Sequence, residues 1–132
     1  MRSIRLLCIA VLCLTAGCGG GTSSSKNMTG HWTVTATSTA FGASGTGTGN
    51  LTQTGTSVSG TLTVTGTPCA TTATLSGTVA GTSLTLSLNE NGQSVTLTGT
   101  ANSSFTSASG TYTAPAGGCT NGDSGTWTAT KG

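Results

Sequence analysis

The segment Leu84-Thr85-Leu86-Ser87-Leu88-Asn89-Glu90-Asn91-Gly92-Gln93-Ser94-Val95-Thr96-Leu97-Thr98-Gly99 decides the fold. Its apolar residues alternate with polar, mostly hydroxyl-bearing residues, and this period of two is typical of a strand with one buried face. Between the two alternating runs stands Asn-Gly, the strongest short signal for a tight turn that joins antiparallel strands. The segment therefore predicts a β-hairpin that turns within residues 89–92.

The same alternation extends over the rest of the chain from Thr29 onwards. Apolar or small residues that share one face recur in eight groups: Trp32, Val34 and Ala36; Leu51; Val58, Gly60, Leu62 and Val64; Ala73, Leu75, Gly77 and Val79; Leu84, Leu86 and Leu88; Val95, Leu97 and Gly99; Ala108, Gly110 and Tyr112; Gly125, Trp127 and Ala129. No helical period interrupts them. Their spacing of about 10–12 residues is typical of β-sandwiches and β-barrels.

These groups predict an all-β fold of about eight strands. Short connections favour pairing of successive strands, which gives an antiparallel up-and-down meander in a closed or nearly closed barrel. The interior of such a barrel is either filled by side chains or holds one small ligand. Phe105 does not share the parity of its neighbours Ala108 and Tyr112, and this predicts a β-bulge nearby.

The composition limits the partners that the chain can bind. Charged residues make up only 5% of the 132 residues, and aromatic residues 4%. Beyond residues 1–17 the charges are Lys26 and Lys131 against Glu90 and Asp123, so they cancel. A neutral domain lacks the basic surface of a nucleic-acid-binding protein. The length fits one domain, and the ordered alternation argues against a disordered Ser/Thr-rich stalk.

Residues 1–17 have the organisation of an export signal. Arg2 and Arg5 precede an apolar run over residues 6–14, which is too short to span a bilayer. The segment Leu14-Thr15-Ala16-Gly17-Cys18 resembles the lipobox of bacterial lipoproteins, in which the Cys thiol is acylated with diacylglycerol and the chain is cut before it. A plain signal peptide needs no Cys at this junction, and a buried strand needs no basic start.

The lipobox resemblance implies three segments. Residues 1–17 are a cleaved lipoprotein signal peptide, residues 18–27 are the lipidated Cys18 with a flexible Gly/Ser/Thr tether, and residues 28–132 are the barrel domain. Two or three acyl chains on one Cys hold a protein stably on a membrane. In such lipoproteins a residue other than Asp after the Cys, here Gly19, accompanies sorting to the outer membrane. The expected location is the bacterial cell envelope, lipid-anchored at the outer membrane.

Cys69 and Cys119 are predicted to form a disulfide. Each lies in a loop, and because the number of strands between them is even, a meander places both loops at the same end of the barrel. An exported protein occupies a compartment in which disulfides persist. The same parity places Glu90 and Asp123 at this end and the chain termini at the other, so the cysteines point away from the anchor. Two free thiols are the alternative.

Short motifs that contain glycine occur in several of the predicted strands. Thr29-Gly30-His31-Trp32 is similar to the Gly-x-Trp opening of lipocalin and avidin-like barrels, in which the Trp closes the floor. Gly125-Thr126-Trp127 would lie beside it in a closed sheet, and Ser109-Gly110-Thr111-Tyr112 looks like a strand of the small calycin-like proteins. The polar residues that bind biotin in avidins are not recognisable, so no cofactor is expected.

Catalytic and metal sites are not predicted. Cys119-x-x-Gly122-Asp123-Ser124-Gly125 is similar to the segment around the nucleophilic serine of trypsin-like proteases, but that chemistry needs a nearby base. His31 is the one histidine, and no segment resembles the family's His motif. Metal ligands would have to come from His31, Glu90 and Asp123, and the meander places His31 at the opposite end from the two acids. The chain is therefore not expected to be an enzyme.

Two functions remain open. The favoured hypothesis is a structural or interaction domain that meets an envelope protein through its Thr-rich wall or its disulfide-end loops. The alternative is a lipocalin-like binder of a small apolar molecule, for which the aromatic residues Trp32, Tyr112 and Trp127 line a cavity instead of filling the core. Regular Thr ladders also occur in ice-binding solenoids, but a twisted barrel does not keep them flat.

Overall fold

The computed structural model describes residues 26–132. They form eight strands: β1 (Gly30–Ser38), β2 (Ser44–Thr54), β3 (Ser57–Thr65), β4 (Thr72–Ala80), β5 (Ser83–Glu90), β6 (Gln93–Ala101), β7 (Ser107–Thr113) and β8 (Ser124–Lys131). The predicted signal peptide, the predicted lipid site Cys18 and most of the predicted tether lie outside the described residues.

The eight strands form a closed antiparallel barrel in up-and-down order. Each strand pairs with the next along the chain, and β8 returns to pair with β1 from Trp32↔Lys131 to Ser38↔Gly125. The all-β meander and its closure are thus confirmed. The result is compatible with a lipocalin-like barrel.

The hairpin that the sequence indicated most strongly joins β5 to β6. Its last ladder pair is Glu90↔Gln93, so the turn is the two-residue Asn91-Gly92. Both residues have positive φ, 50° and 87° respectively, as a turn that matches the twist of the two strands requires. The side chain of Asn89 adds support, because its Oδ1 accepts a hydrogen bond from the Gly92 amide at 3.1 Å.

The inner face combines large side chains with glycines on neighbouring strands. Glycines stand opposite larger inward residues in the pairs Trp32↔Gly49, Leu51↔Gly60, Gly60↔Leu75, Gly77↔Leu86, Leu84↔Gly99, Gly110↔Trp127 and Tyr112↔Gly125. The interior of a small barrel is too narrow for a large residue at every position, and alternation of large and small residues fits the available space. The outer face is mostly Thr and Ser, whose strand propensity suits an exposed pleated surface.

The prediction of a β-bulge at Phe105 is wrong. Phe105 lies in the loop between β6 and β7 and has a positive φ of 53°. Asn102 shapes this loop, because its carbonyl oxygen accepts a hydrogen bond from the Phe105 amide and its side chain binds the Thr106 amide. The loop directs the Phe105 ring back into the barrel, where it is only 7% exposed. The change in the inward–outward alternation at Phe105 therefore marks a turn and not a bulge.

The predicted disulfide is present between Cys69 and Cys119, whose Cα atoms are 5.2 Å apart. It joins the β3–β4 loop to the β7–β8 loop. We call this end of the barrel the cysteine end; it comprises the loops of residues 39–43, 66–71, 91–92 and 114–123. The terminal end comprises residues 26–29, 55–56, 81–82, 102–106 and 132. The parity of the strands predicted this division.

Candidate ligand-binding cavity

The terminal half of the barrel is filled with side chains. Trp32 is fully buried, and its Nε1 donates a hydrogen bond to the Met28 carbonyl at 2.8 Å. Trp127 is 3% exposed and donates from Nε1 to the Thr111 carbonyl at 3.1 Å. Only a void of about 20 Å³ remains among these rings and their neighbours. Both tryptophans are therefore core residues, which was one of the two interpretations of the sequence.

The half of the barrel towards the cysteine end is hollow. It contains a cavity of about 350 Å³, within the size range of small-molecule sites. Val34 and Leu97 line both this cavity and the small void below it, so they form the floor. Leu62, Val64 and Val95 contribute apolar walls.

The cavity opens among the loops of the cysteine end. Its lining extends to Phe41, Pro68, Cys119 and Asn121, all of which are exposed to solvent. Phe41 is 70% exposed and is the one large hydrophobic residue with high exposure in the described part of the chain. The predicted orientation would place this mouth on the side of the barrel away from the N-terminal anchor.

Small inward residues keep part of this space free. Of the small inward residues Ala36, Gly47, Gly49 and Ala108, the first two line the cavity. Gly49 does not, because the Leu62 side chain lies over it at 3.0 Å from the position of a Cβ. Ala108 is a buried core residue and does not line the cavity either. The period of two shows which residues point inward, but it does not show how far along the barrel axis the core is filled.

Tyr112 connects the cavity wall to a short polar network at the mouth. Its hydroxyl donates a hydrogen bond to Oδ2 of Asp123 at 2.8 Å. The other carboxylate oxygen, Oδ1, accepts from the Ser38 hydroxyl at 2.6 Å. Ser38 Oγ in turn accepts from the Phe41 amide at 3.1 Å, which ties the β1–β2 loop to the network. Of the three aromatic residues named from the sequence, only Tyr112 lines the cavity.

The same network changes the acidity of Tyr112. Burial, together with the hydrogen bond to Asp123 and the negative charge of that carboxylate, raises the pKa of Tyr112 from 10.0 to about 12. All of these effects disfavour the phenolate. The side chain is therefore neutral at physiological pH and acts as a hydrogen-bond donor at the mouth.

Glu90 is the second acid in the cavity lining. It is 7% exposed, and its Oε2 accepts a hydrogen bond from the Thr67 hydroxyl at 2.9 Å. Thr67 lies in the β3–β4 loop and its Oγ1 also accepts from the Cys69 amide at 3.0 Å, so this contact is fixed close to the disulfide. Glu90 was expected at the cysteine end, but its burial was not predicted.

Of the residues considered for catalysis or metal binding, Glu90 and Asp123 line the same cavity, whereas His31 lies apart from them. His31 lies at the terminal end, where its Nδ1 is 3.3 Å from Asn50 Oδ1, whereas Ser124 begins β8 at the cysteine end. Among residues 26–132 no three His, Cys, Asp or Glu side chains form a group that could hold a metal ion.

The described chain also contains no helix of the length and apolarity needed to cross a membrane.

The Ser38–Asp123–Tyr112 network escaped the sequence analysis, although one signal for it was present. Tyr112 ends the inward face of its strand, and Asp123 stands shortly before the inward Gly125 that pairs with Tyr112. When an inward tyrosine pairs with a glycine, there is space beside its ring. An acidic residue just before that glycine is then close enough to accept a hydrogen bond from the tyrosine hydroxyl. Ser38 offered no comparable signal.

Comparison with known proteins adds no functional assignment. No protein-family model matches the chain, and neither a curated protein nor a solved structure matches it.

Proposed function

We propose that this chain is a binding protein for a small apolar molecule, with a lipocalin-like barrel. The observation that carries the proposal is the cavity of about 350 Å³ that opens at the cysteine end. An apolar, concave site with a few converging polar groups is the usual form of a small-molecule site. Here the apolar walls are Leu62, Val64 and Val95, and the polar groups are those of Tyr112, Asp123 and Glu90.

The division of the interior into a filled and a hollow half supports binding over a purely structural role. An empty apolar cavity lowers stability, because the residues around it lose contact partners. A domain that only had to remain folded would gain stability from a larger residue at Ala36, which lines the cavity. The filled half shows that this chain can pack aromatic and aliphatic residues closely. The hollow half is thus the feature that a ligand would explain.

The proposal includes a lipid anchor at Cys18 in a bacterial envelope, and it assigns no catalytic step. The resemblance of residues 14–18 to a lipobox supports the anchor. The distribution of charge agrees with it, since Lys26 and Lys131 lie at the terminal end, nearest the tether, and anionic lipid headgroups attract basic residues. The distance along the barrel between His31 and Ser124 supports binding without hydrolysis.

Native mass spectrometry of the full chain, purified from its own host, tests the binding function. We expect one small-molecule adduct per chain in addition to any acyl group on Cys18. The variant Ala36→Leu, which places a larger side chain in the cavity, should reduce the adduct. If the wild-type chain carries no adduct and takes up no apolar compound from the host lipid extract, it is not a small-molecule binder.

A structural or interaction role is the second candidate, and Phe41 is the observation that favours it. An aromatic side chain that is 70% exposed at a loop tip is a typical anchor for a protein partner. The variant Phe41→Ser distinguishes the two functions. It should abolish co-purification of an envelope protein if the loop is an interface, whereas the loss of adduct alone would identify Phe41 as part of the ligand site.

A further inference from the structure

We propose that the ligand is an apolar molecule that carries a protonated amine. This inference rests on the proposed binding function and specifies the chemistry of the same cavity. It follows from the charges around the cavity, the environment of Glu90 and the aromatic residues at the mouth.

The charges of the described chain are divided between the two ends of the barrel. The sequence contains only two acidic residues, Glu90 and Asp123, and both line the cavity. No basic residue of the described part lines it. Lys131 lies at the terminal end, where its Nζ donates to the Asn27 carbonyl and stands 5.9 Å from the centre of the Trp32 ring. The cavity is therefore apolar with a negative potential.

Glu90 is a buried carboxylate with few hydrogen-bond partners. It is 7% exposed, and the Thr67 hydroxyl on Oε2 is its one hydrogen-bond donor among the described residues. No described side-chain oxygen or nitrogen is both fully buried and unpartnered, so Oε1 must keep some accessible surface. Glu90 lines the cavity, and Oε1 is the carboxylate oxygen that remains for a ligand to bind. Buried carboxylates in proteins are normally paired with a cation, and here a ligand would supply it.

The other polar groups of the site fit the same ligand. Asp123 accepts hydrogen bonds from Ser38 and Tyr112, so its charge is held at the mouth, where it attracts a cation as it enters. Phe41 and Tyr112 add aromatic faces to the lining, and such faces attract cations. A bare metal ion fits poorly, because no group of three ligating side chains is present among the described residues.

A matched set of three probes tests the inference: 2-phenylethylamine, 2-phenylethanol and phenylacetate. They share an aromatic body and differ in charge at neutral pH. Calorimetric titrations use the full chain in lipid nanodiscs, with empty nanodiscs subtracted. We expect the amine to bind about tenfold or more tightly than the alcohol, as a charge-assisted hydrogen bond gives, and phenylacetate to bind more weakly than both.

The variant Glu90→Gln tests whether the preference for the amine arises from the charge of Glu90. The glutamine carbonyl can still accept the hydrogen bond from Thr67, so the loop contact is preserved while the charge is removed. The ratio of the amine affinity to the alcohol affinity should fall about tenfold. Binding of the alcohol to the variant also shows that the variant is folded and still has its cavity.

The outcomes distinguish a failure of the amine inference from a failure of the proposed binding function. If none of the three probes binds although the chain carries an adduct from its host, the inference of an amine is wrong and the binding function stands. If the chain also carries no adduct and takes up nothing from the host lipid extract, both are wrong. If the alcohol binds as tightly as the amine, or phenylacetate binds most tightly, the cavity takes small molecules but the inference of an amine is wrong. Retention of the full amine preference in Glu90→Gln would also overturn the inference, because the preference would then not arise from Glu90.

Discussion

The hydroxyl of Tyr112 and the carboxylate of Asp123 are joined by a hydrogen bond of 2.8 Å at the mouth of the cavity. The contact fixes the end of β7 against the residue that precedes β8. Because Asp123 also binds the hydroxyl of Ser38 at the end of β1, one carboxylate holds three neighbouring strands together where the barrel is hollow. The network therefore connects three strands at the mouth of the cavity.

Tyr112 makes the stability of the barrel depend on pH in the alkaline range. Its pKa is raised to about 12 in the folded chain, against 10.0 for an unperturbed tyrosine, so the unfolded state loses the proton first. The stabilisation is complete below pH 10 and is lost as the pH rises towards 12. Denaturant titrations over this interval should show decreasing stability in the wild type and a smaller decrease in Tyr112→Phe. Because the chain has one tyrosine, tyrosinate absorbance reports its titration directly, and a midpoint near pH 10 would contradict the prediction.

The disulfide should contribute strongly to stability. Cys69 and Cys119 are 50 residues apart, and the chain-entropy model assigns a loop of this length about 4 kcal/mol, which we take as the upper value. The double variant Cys69→Ala/Cys119→Ala should lower the free energy of unfolding by up to this amount in urea titrations. Thiol labelling of the unfolded wild-type chain before reduction is the control, and labelling at either cysteine would show that the bond is incomplete.

Ala36 and Ala108 should respond in opposite ways to enlargement. Ala36 lines the cavity, so Ala36→Leu has space for its side chain and should leave the thermal midpoint unchanged or raised while ligand uptake falls. Ala108 is 6% exposed in the filled half, and Ala108→Leu should destabilise the barrel by about 1–3 kcal/mol through overpacking. Thermal unfolding of both variants measures the difference, and equal destabilisation would mean that the cavity collapses in solution.

Two inward glycines give a second matched pair. A Cβ at Gly99 would lie 2.7 Å from Cζ2 of Trp127 and would overlap the carbonyl oxygen of Ser109, so Gly99→Ala should cost about 1–3 kcal/mol. A Cβ at Gly47 would be 3.3 Å from the nearest atom, Cδ1 of Leu62, and would face the cavity. Gly47→Ala should therefore cost less stability than Gly99→Ala, because only the side chains of Leu62 and Val64 would have to shift. A similar loss of stability in both variants, measured by urea titration, would argue against the packing described for Trp127.

The predicted lipid anchor has a direct test. Cys18→Ala should abolish labelling of the chain by a fatty-acid analogue and release the protein from the membrane fraction. Cys13→Ala is the matched control, because Cys13 lies within the apolar run and should not affect labelling. Labelling that persists in Cys18→Ala would show that the lipobox resemblance does not apply to this chain.

The strand order and the disulfide were accessible from the sequence, because each depends on alternation and parity. The inward sets around Leu62, Leu75 and Leu86 repeat with a period of two, and counting the strands between Cys69 and Cys119 was enough to place both loops at one end. Phe105 was misread because a residue with positive φ in a turn changes parity in the same way as a bulge.

The cavity and its charges could not be derived in the same way. Alternation shows that Trp32 and Val34 both point inward, but not that Trp32 lies in the filled half and Val34 in the floor of the cavity. That difference depends on how side chains of neighbouring strands share the interior, as where the Leu62 side chain lies over Gly49. The burial of Glu90 depends on a loop contact with Thr67, and no local pattern in the sequence indicates it.

The pairing of β8 with β1 has a consequence for solubility. The described chain has no net charge, and its walls are threonine-rich strands of high β-propensity, a composition that favours intermolecular sheet formation wherever a strand edge is free. In the closed barrel every one of the eight described strands has a neighbour on both sides. Protection against aggregation therefore depends on this closing seam, from Trp32↔Lys131 to Ser38↔Gly125, and its opening would expose two edges at once.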